Sequence, residues 1–132
     1  MFTIRNLKED DYDTLCKWWK ENKFPIVPRQ ILPDNGLGGI MVQVDNIDVC
    51  ACFLYLTNSK ICWLEYIVMD FQYKDKKNRE KVKELAINQL RIFAKELGFE
   101  AMFTSVKNPN LVKTFETLGF SKDETVEMAL KL

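Results

Sequence analysis

Apolar and polar positions follow two different periods along this chain, and the switches between them mark its elements. Residues 2–5 (Phe-Thr-Ile-Arg) alternate and predict a short first strand. Asp10 and Asp11 then offer an N-cap. Tyr12, Leu15, Cys16 and Trp19 recur at helical spacing, predicting a helix to Asn22 with Trp18 at the edge of its buried stripe. Residues 24–39 contain Pro25, Pro28, Pro33, Gly36, Gly38 and Gly39 and read as a long ordered loop. Loops of this length in a small domain are usually functional or mobile. Three strand-like runs follow at 40–44, 48–56 and 61–69, separated by the turn signals Asp45-Asn46 and Thr57-Asn58-Ser59-Lys60. The last two are apolar on both faces, as central strands covered on both sides are.

After Met69 the chain becomes strongly polar, and a long amphipathic helix is predicted from Val82, Leu85, Ala86, Leu90, Phe93, Ala94 and Leu97, with Gly98 as its C-terminal cap. Residues 100–106 read as a fifth strand. Asn108-Pro109 opens a short helix carrying Leu111, Val112, Phe115 and Leu118 and ending at Gly119. The stretch 120–132 ends in clean alternation (Val126, Met128, Leu130, Leu132), which predicts a closing strand. The expected plan is one α/β domain over residues 1–132, a three-strand meander feeding a helix, a parallel strand, a short helix and a last strand.

Composition narrows the function classes. With 19 basic and 19 acidic residues the formal charge is zero, so the basic excess of a duplex-binding surface is absent and no nucleic-acid partner is expected. No apolar run is long enough to span a bilayer, and the first residues lack the plan of a signal peptide, so no membrane partner is expected. Cys16, Cys50, Cys52 and Cys62 have no CxxC spacing, and the chain has no histidine. The expectation is reduced thiols packed as small hydrophobes, a cytoplasmic setting and no metal. The lack of histidine excludes every Ser-His and Cys-His mechanism.

Two segments carry a family resemblance. Residues 65–79 (Glu-Tyr-Ile-Val-Met-Asp-Phe-Gln-Tyr-Lys-Asp-Lys-Lys-Asn-Arg) stand where the GNAT superfamily of acyl-CoA-dependent N-acyltransferases has its fourth strand and phosphate-binding turn. Residues 108–120 (Asn-Pro-Asn-Leu-Val-Lys-Thr-Phe-Glu-Thr-Leu-Gly-Phe) resemble that family's last helix with its terminal Leu-Gly-Phe. The wording Trp63-Leu-Glu-Tyr-Ile-Val, with Phe103-Thr-Ser downstream, is similar to short GNAT-like proteins of phages and prophages, which would place the protein in a host cytoplasm. The resemblance implies a mixed, mostly antiparallel sheet of about six to seven strands, flanked by about four helices and splayed between strands 4 and 5. It also implies acetyl-CoA or a related acyl-CoA as co-substrate and an amine or protein acceptor.

The resemblance assigns roles to particular residues. The backbone of Ile67, Val68 and Met69 would pair with the acyl and pantetheine groups. Lys74, Lys76, Lys77, Asn78 and Arg79 would hold the phosphates, at a helix N-terminus that favours anions. Lys77 and Arg79 fill the family's two glycine positions, so the same run also reads as a solvated charged first turn. Asn108 would approach the pantetheine arm or serve only as an N-cap. Phe115 occupies the slot of the family's proton-donating tyrosine and has no hydroxyl, leaving Tyr73 or Ser105 as stand-ins.

Glu65 is the candidate base. It stands alone on one face of an apolar strand with Ile61, Trp63, Ile67 and Met69. Partial burial would raise its pKa into the useful range. The other reading is an ion pair with a lysine or arginine of the first helix or the loop. Trp18, Trp19 and Phe24 are candidates for acceptor contacts, with core packing the alternative for the tryptophans. The rival to an enzyme, supported by the filled glycines and Phe115, is a catalytically impaired protein of the same fold that binds a partner or builds a phage structure. Either a monomer or a homodimer is compatible with the sequence.

Overall fold

The computed structural model describes all 132 residues. One five-stranded sheet runs in the order β1 (Phe2–Asn6), β2 (Gly39–Val44), β3 (Ile47–Leu56), β4 (Ile61–Met69) and β5 (Ala101–Phe103). The first four strands are antiparallel, and β5 joins β4 in parallel. The meander is closed at β2–β3 by Asp45 and Asn46, both with positive φ (49° and 67°), the backbone that a tight hairpin turn requires.

Helix α1 (Asp11–Glu21) and the loop behind it cover one face of the sheet. Leu15, Trp18 and Trp19 are buried there with Val27, Leu32, Met41, Ala51, Phe53 and Val68. The loop contains two short 3-10 turns, Arg29–Ile31 and Pro33–Gly36. Tyr12 donates to the Val27 carbonyl (2.7 Å) and Tyr55 to the Ile31 carbonyl (2.7 Å), so a helix and a strand both fasten it. Helix α2 (Lys76–Glu96) lies across the opposite face through Val82, Ala86, Ile87, Leu90 and Ala94, joined by Phe115 of α3 (Pro109–Thr117). Burial on both faces explains the unbroken apolar run of β3, whose residues 49–53 are fully enclosed.

At the start of β2, a side chain on Gly39 would run into the Cys52 carbonyl and Leu7, so only glycine lets β2 approach β3 here. On the outer side, Arg5 grips Asp11 with two bonds (2.7 and 2.9 Å) and reaches Asp48 (3.2 Å). Asp11 also accepts the Lys8 amide (2.9 Å). Of the two aspartates expected to cap α1, Asp11 therefore ties it to β1 instead, and Asp10, at the N-cap position, makes no side-chain cap bond.

Three expectations about the fold need correction. The sheet has five strands, not six or seven, and three α-helices with two 3-10 turns replace the expected four helices. The fifth strand spans only Ala101–Phe103, because Thr104 and Ser105 turn their bonds onto β4 by other routes. The closing strand does not form. No backbone hydrogen bond ties residues 121–132 to the sheet, and Val126, Met128, Leu130 and Leu132 are 80%, 89%, 83% and 109% exposed. Alternation supplies a strand's side-chain pattern, but a strand also needs an edge to pair with, and none is engaged.

Candidate active site

Strand β4 changes character at its middle. Phe53 pairs with Glu65, yet Ala51 pairs with Val68, so β4 carries one extra residue between those points. The surplus is absorbed at Tyr66, whose φ of 58° is uncommon for an aromatic residue. Such strain persists where the surroundings over-determine it, and it clusters at functional sites.

The same position ends the pairing of β4 with β5. Their ladder stops at Trp63–Phe103. Beyond it, Thr104 Oγ1 donates to the Leu64 carbonyl (2.6 Å) and the Ser105 amide donates to Glu65 Oε1 (2.7 Å). Side chains thus take over the last two links before the strands part. Trp63 and Phe103 stack with ring centres 5.1 Å apart, walling the near side of the opening. The Tyr66 and Tyr55 rings lie 6.3 Å apart, with Tyr55 opposite Trp63 in the β3–β4 register.

Glu65 is half-buried and has no cationic partner, so the expected alternative of an ion pair to α1 or the loop is not what holds it. Burial raises its pKa, the Ser105 amide pulls it back, and the nearby Glu127 carboxylate raises it again, with the balance at about 7. One oxygen is engaged by Ser105 and the other is available. The result is a carboxyl group poised to exchange a proton near neutrality, on a bulged strand beside a backbone opening.

Residues 67–69 follow the bulge. Val68 and Met69 are buried against the sheet, and the Met69 carbonyl accepts the side chain of Asn22 (3.0 Å), which locks the end of α1 to the end of β4. From there the chain enters the basic turn. Asp75 caps α2 by accepting the Asn78 amide (3.0 Å), while the amides of Lys76 and Lys77 donate to no protein acceptor. Arg79 folds inward, donating to the carbonyls of Asp70 (2.8 Å) and Tyr73 (2.6 Å), and Asn78 donates to the Tyr73 hydroxyl (2.9 Å). Lys74 lies over the Phe71 ring at 4.1 Å. The anion-binding capacity of the turn therefore consists of two free amides and exposed lysines, opposed by the Asp75 carboxylate. Arg79 and Asn78 are occupied in shaping it.

The other sequence-predicted residues fall in different places. Ser105 reaches Glu65 through its backbone, with its side chain exposed. Tyr73 sits in the turn. Asn108 caps α3, accepting the amides of Asn110 (2.8 Å) and Leu111 (3.3 Å). Phe115 is 3% exposed and packs edge-on against Phe120, so it is a core residue. Trp18 and Trp19 are 3% and 2% exposed, which removes both from any open acceptor surface. Phe24 is exposed beside Pro25 and Ile26 in the loop. Sequence reasoning missed the bulge at Tyr66, Glu127, Asn22 and the cap at Asp75. Only the last had a signal, an aspartate just ahead of a helical stripe.

No group of His, Cys, Asp and Glu is arranged to hold a metal ion, and no helix is long and apolar enough to cross a membrane. No protein-family model matches the sequence, and no curated protein matches it. Solved structures do match in shape. The ribosomal-protein-S18-alanine N-acetyltransferase from Escherichia coli superposes with a TM-score of 0.76 at 16% identity, over 94% of this chain and 80% of that one. An aminoglycoside acetyltransferase from an uncultured soil metagenomic sample gives 0.69 at 15%, over 99% and 96%. N-acetylglutamate synthase from Neisseria gonorrhoeae, complexed with coenzyme A and L-arginine, gives 0.74 at 14%, over 93% of this chain but 28% of that one. At these identities the likeness is one of architecture, and the chain carries the mixed α/β fold of these acetyltransferases.

Proposed function

We propose that this protein transfers an acyl group from an acyl-CoA, acetyl-CoA in the simplest case, to an amine acceptor, with Glu65 as the general base. The observation that carries this reading is the unpaired, half-buried Glu65 carboxyl, with a pKa of about 7, at the point where β4 bulges and parts from β5. The fold it shares with acetyltransferases, one of them complexed with coenzyme A, supports the same reading.

The residues present fit an acyl-CoA in part. The opening beyond Trp63–Phe103 leaves the backbone of Ile67, Val68 and Met69 as the surface for the acyl group and its arm. The free amides of Lys76 and Lys77, with the ammonium groups of Lys74, Lys76 and Lys77, suit the phosphates. Bound acyl-CoA would supply an activated thioester. The ionised Glu65 takes a proton from the acceptor ammonium, directly or through one water, and so generates the nucleophilic amine. The Ser105 amide holds the carboxylate in orientation. As the acceptor nitrogen bonds to the acyl carbon and the C–S bond breaks, Phe115 cannot supply a proton to the departing thiolate, which leaves Tyr73, the Ser105 hydroxyl or solvent for that task. Phe24 and the fastened loop border the expected acceptor side.

A second reading has its own observation. Asp75 places a carboxylate on the α2 cap and Arg79 is turned into the protein, which weakens the phosphate site and favours a partner-binding protein of this fold without catalysis. Calorimetric titration with acetyl-CoA separates the two. The enzyme reading expects saturable binding, and no heat or thermal shift at millimolar ligand would sink it.

A further inference from the structure

Aromatic residues gather beside Glu65 in a way that proton transfer alone does not require. Tyr55, Trp63 and Phe103 stand side by side on β3, β4 and β5, each the register partner of the next. Directly opposed residues point to the same face of a sheet. The Trp63 and Phe103 rings lie 5.1 Å apart, tilted by 32°, and the Tyr66 ring lies 6.3 Å from that of Tyr55. Glu65 follows Trp63 by two residues, ahead of the bulge, and so shares its face. Its partner on β3, Phe53, is buried among the α1 residues, which identifies this face as that of α1 and the loop behind it.

Four rings and one carboxylate thus form a single patch that the core does not seal. Tyr66 and Phe103 are 38% and 43% exposed, and Tyr55 and Trp63 are half-buried. The loop meets the patch only at its rim, where the Ile31 carbonyl accepts the Tyr55 hydroxyl. Trp63, Phe103 and Ser105 also border the largest cleft of the molecule, about 1230 Å³, so the patch is reached from solvent.

Charge sets a second condition. Glu65 belongs to no ion pair. The charges that bear on Glu65, Tyr55 and Tyr66 are those of one another and of Glu127, with no lysine or arginine among them. The patch therefore offers ring faces and a carboxylate to an ammonium group, and nothing to a ligand's own carboxylate or phosphate. An anionic group brought beside Glu65 would meet like charge with no cation to offset it. An extended polyamine would need a second anchored anion, but Glu127 is exposed and its attraction is screened.

We propose that the acceptor is an arylalkylamine, a primary amine on an aromatic body without a carboxylate, its ring against Trp63 and Phe103 and its ammonium on Glu65. The inference rests on the acyl-transfer reading above and names the substrate class of that same site. In the step, Glu65 takes one ammonium proton and the nitrogen bonds to the acyl carbon. The C–S bond breaks, and its electron pair leaves with the thiolate, which is protonated to coenzyme A.

Phenethylamine titrated into the full chain, with and without coenzyme A, should bind saturably. It should change the fluorescence of Trp63, the one of the three tryptophans that is not buried. Phenylalanine, the same skeleton with a carboxylate, should bind about tenfold more weakly. Cyclohexylethylamine, equal in charge without an aromatic ring, and spermidine should each bind about threefold more weakly or worse. Trp63→Leu should weaken phenethylamine binding roughly tenfold and Trp63→Phe much less, both with a wild-type circular dichroism spectrum. Equal affinity for phenylalanine, cyclohexylethylamine or spermidine overturns the proposal. So does an unchanged affinity in Trp63→Leu, or no binding of phenethylamine in either condition. A chain that acetylates spermidine or amino acids but not phenethylamine keeps the acyl-transfer reading and overturns this one. A chain that binds phenethylamine with this preference but never binds acetyl-CoA keeps the amine site and overturns its role as an acceptor site, together with the acyl-transfer reading.

Discussion

Glu65 combines two features that both disfavour its ionised form: it is half-buried, and the charge that acts on it, that of Glu127, has the same sign. Its proton affinity follows from that environment. Under the proposed function, activity should rise with pH through an apparent pKa near 7 as the carboxylate forms, and a profile flat across neutrality would remove Glu65 from the chemistry. Glu65→Gln should lower turnover roughly 10²- to 10⁴-fold while leaving acetyl-CoA affinity intact, as read by steady-state kinetics beside calorimetry. Asp11 is the opposite case. Burial opposes its ionisation, but the Arg5 hydrogen bonds and the Lys8 amide outweigh burial and hold its pKa below the usual carboxylate range. A depressed pKa stabilises the fold above the unfolded value and withdraws that stability as pH falls through the folded value. Asp11→Ala should therefore cost about 3 kcal/mol at neutral pH in urea unfolding, with the difference from wild type shrinking in acid. The chemical type of Glu65 and its isolation in an apolar strand were legible in the sequence. The Arg5–Asp11–Asp48 cluster was not, because it joins a strand, a helix and a second strand whose neighbourhood only folding creates.

At the scale of elements, the turn from Asp70 to Arg79 shows how one side chain decides what a helix terminus can bind. Asp75 stabilises α2 by capping it and at the same time places negative charge where an acyl-CoA phosphate would come. Asp75→Ser should keep the cap, leave the melting temperature almost unchanged and tighten acetyl-CoA binding, an effect that added salt diminishes. Lys77→Glu should do the reverse, and an unaltered dissociation constant in both would separate this turn from the ligand. The helix and its polar first turn were visible from the period change after Met69. The inward fold of Arg79 was not, since its partners are backbone carbonyls that any residue offers. The bulge in β4 was equally hidden: Tyr66 adopts its left-handed backbone because of pairing on β3, and nothing in the run Glu65-Tyr-Ile-Val-Met marks it.

Across the whole molecule, one sheet separates two sets of buried side chains, Trp19 and its neighbours under α1 and Leu90 and its neighbours under α2. Trp19→Ala should cost about 4 kcal/mol and Leu90→Ala about 3 kcal/mol of stability. As residues on opposite faces without shared partners, their costs should add to within about 0.5 kcal/mol in chemical denaturation. A large deviation would mean that the sheet transmits strain between its faces. The sequence by itself determined the order of elements as far as α3, the enclosure of β3, the hairpin at Asp45-Asn46, and the exclusion of histidine chemistry. Those features depend on residue type and spacing within one segment, which periodicity reads directly. Strand β4, expected to be covered on both faces, is fully buried on neither face throughout. Only the tertiary structure decided that Trp18, Trp19 and Phe115 are core, that β4 bulges beside Glu65, and that residues 126–132 remain unpaired. Each of these depends on which surface meets which across distant parts of the chain. A strand's alternation specifies two faces but does not supply the edge that would complete it.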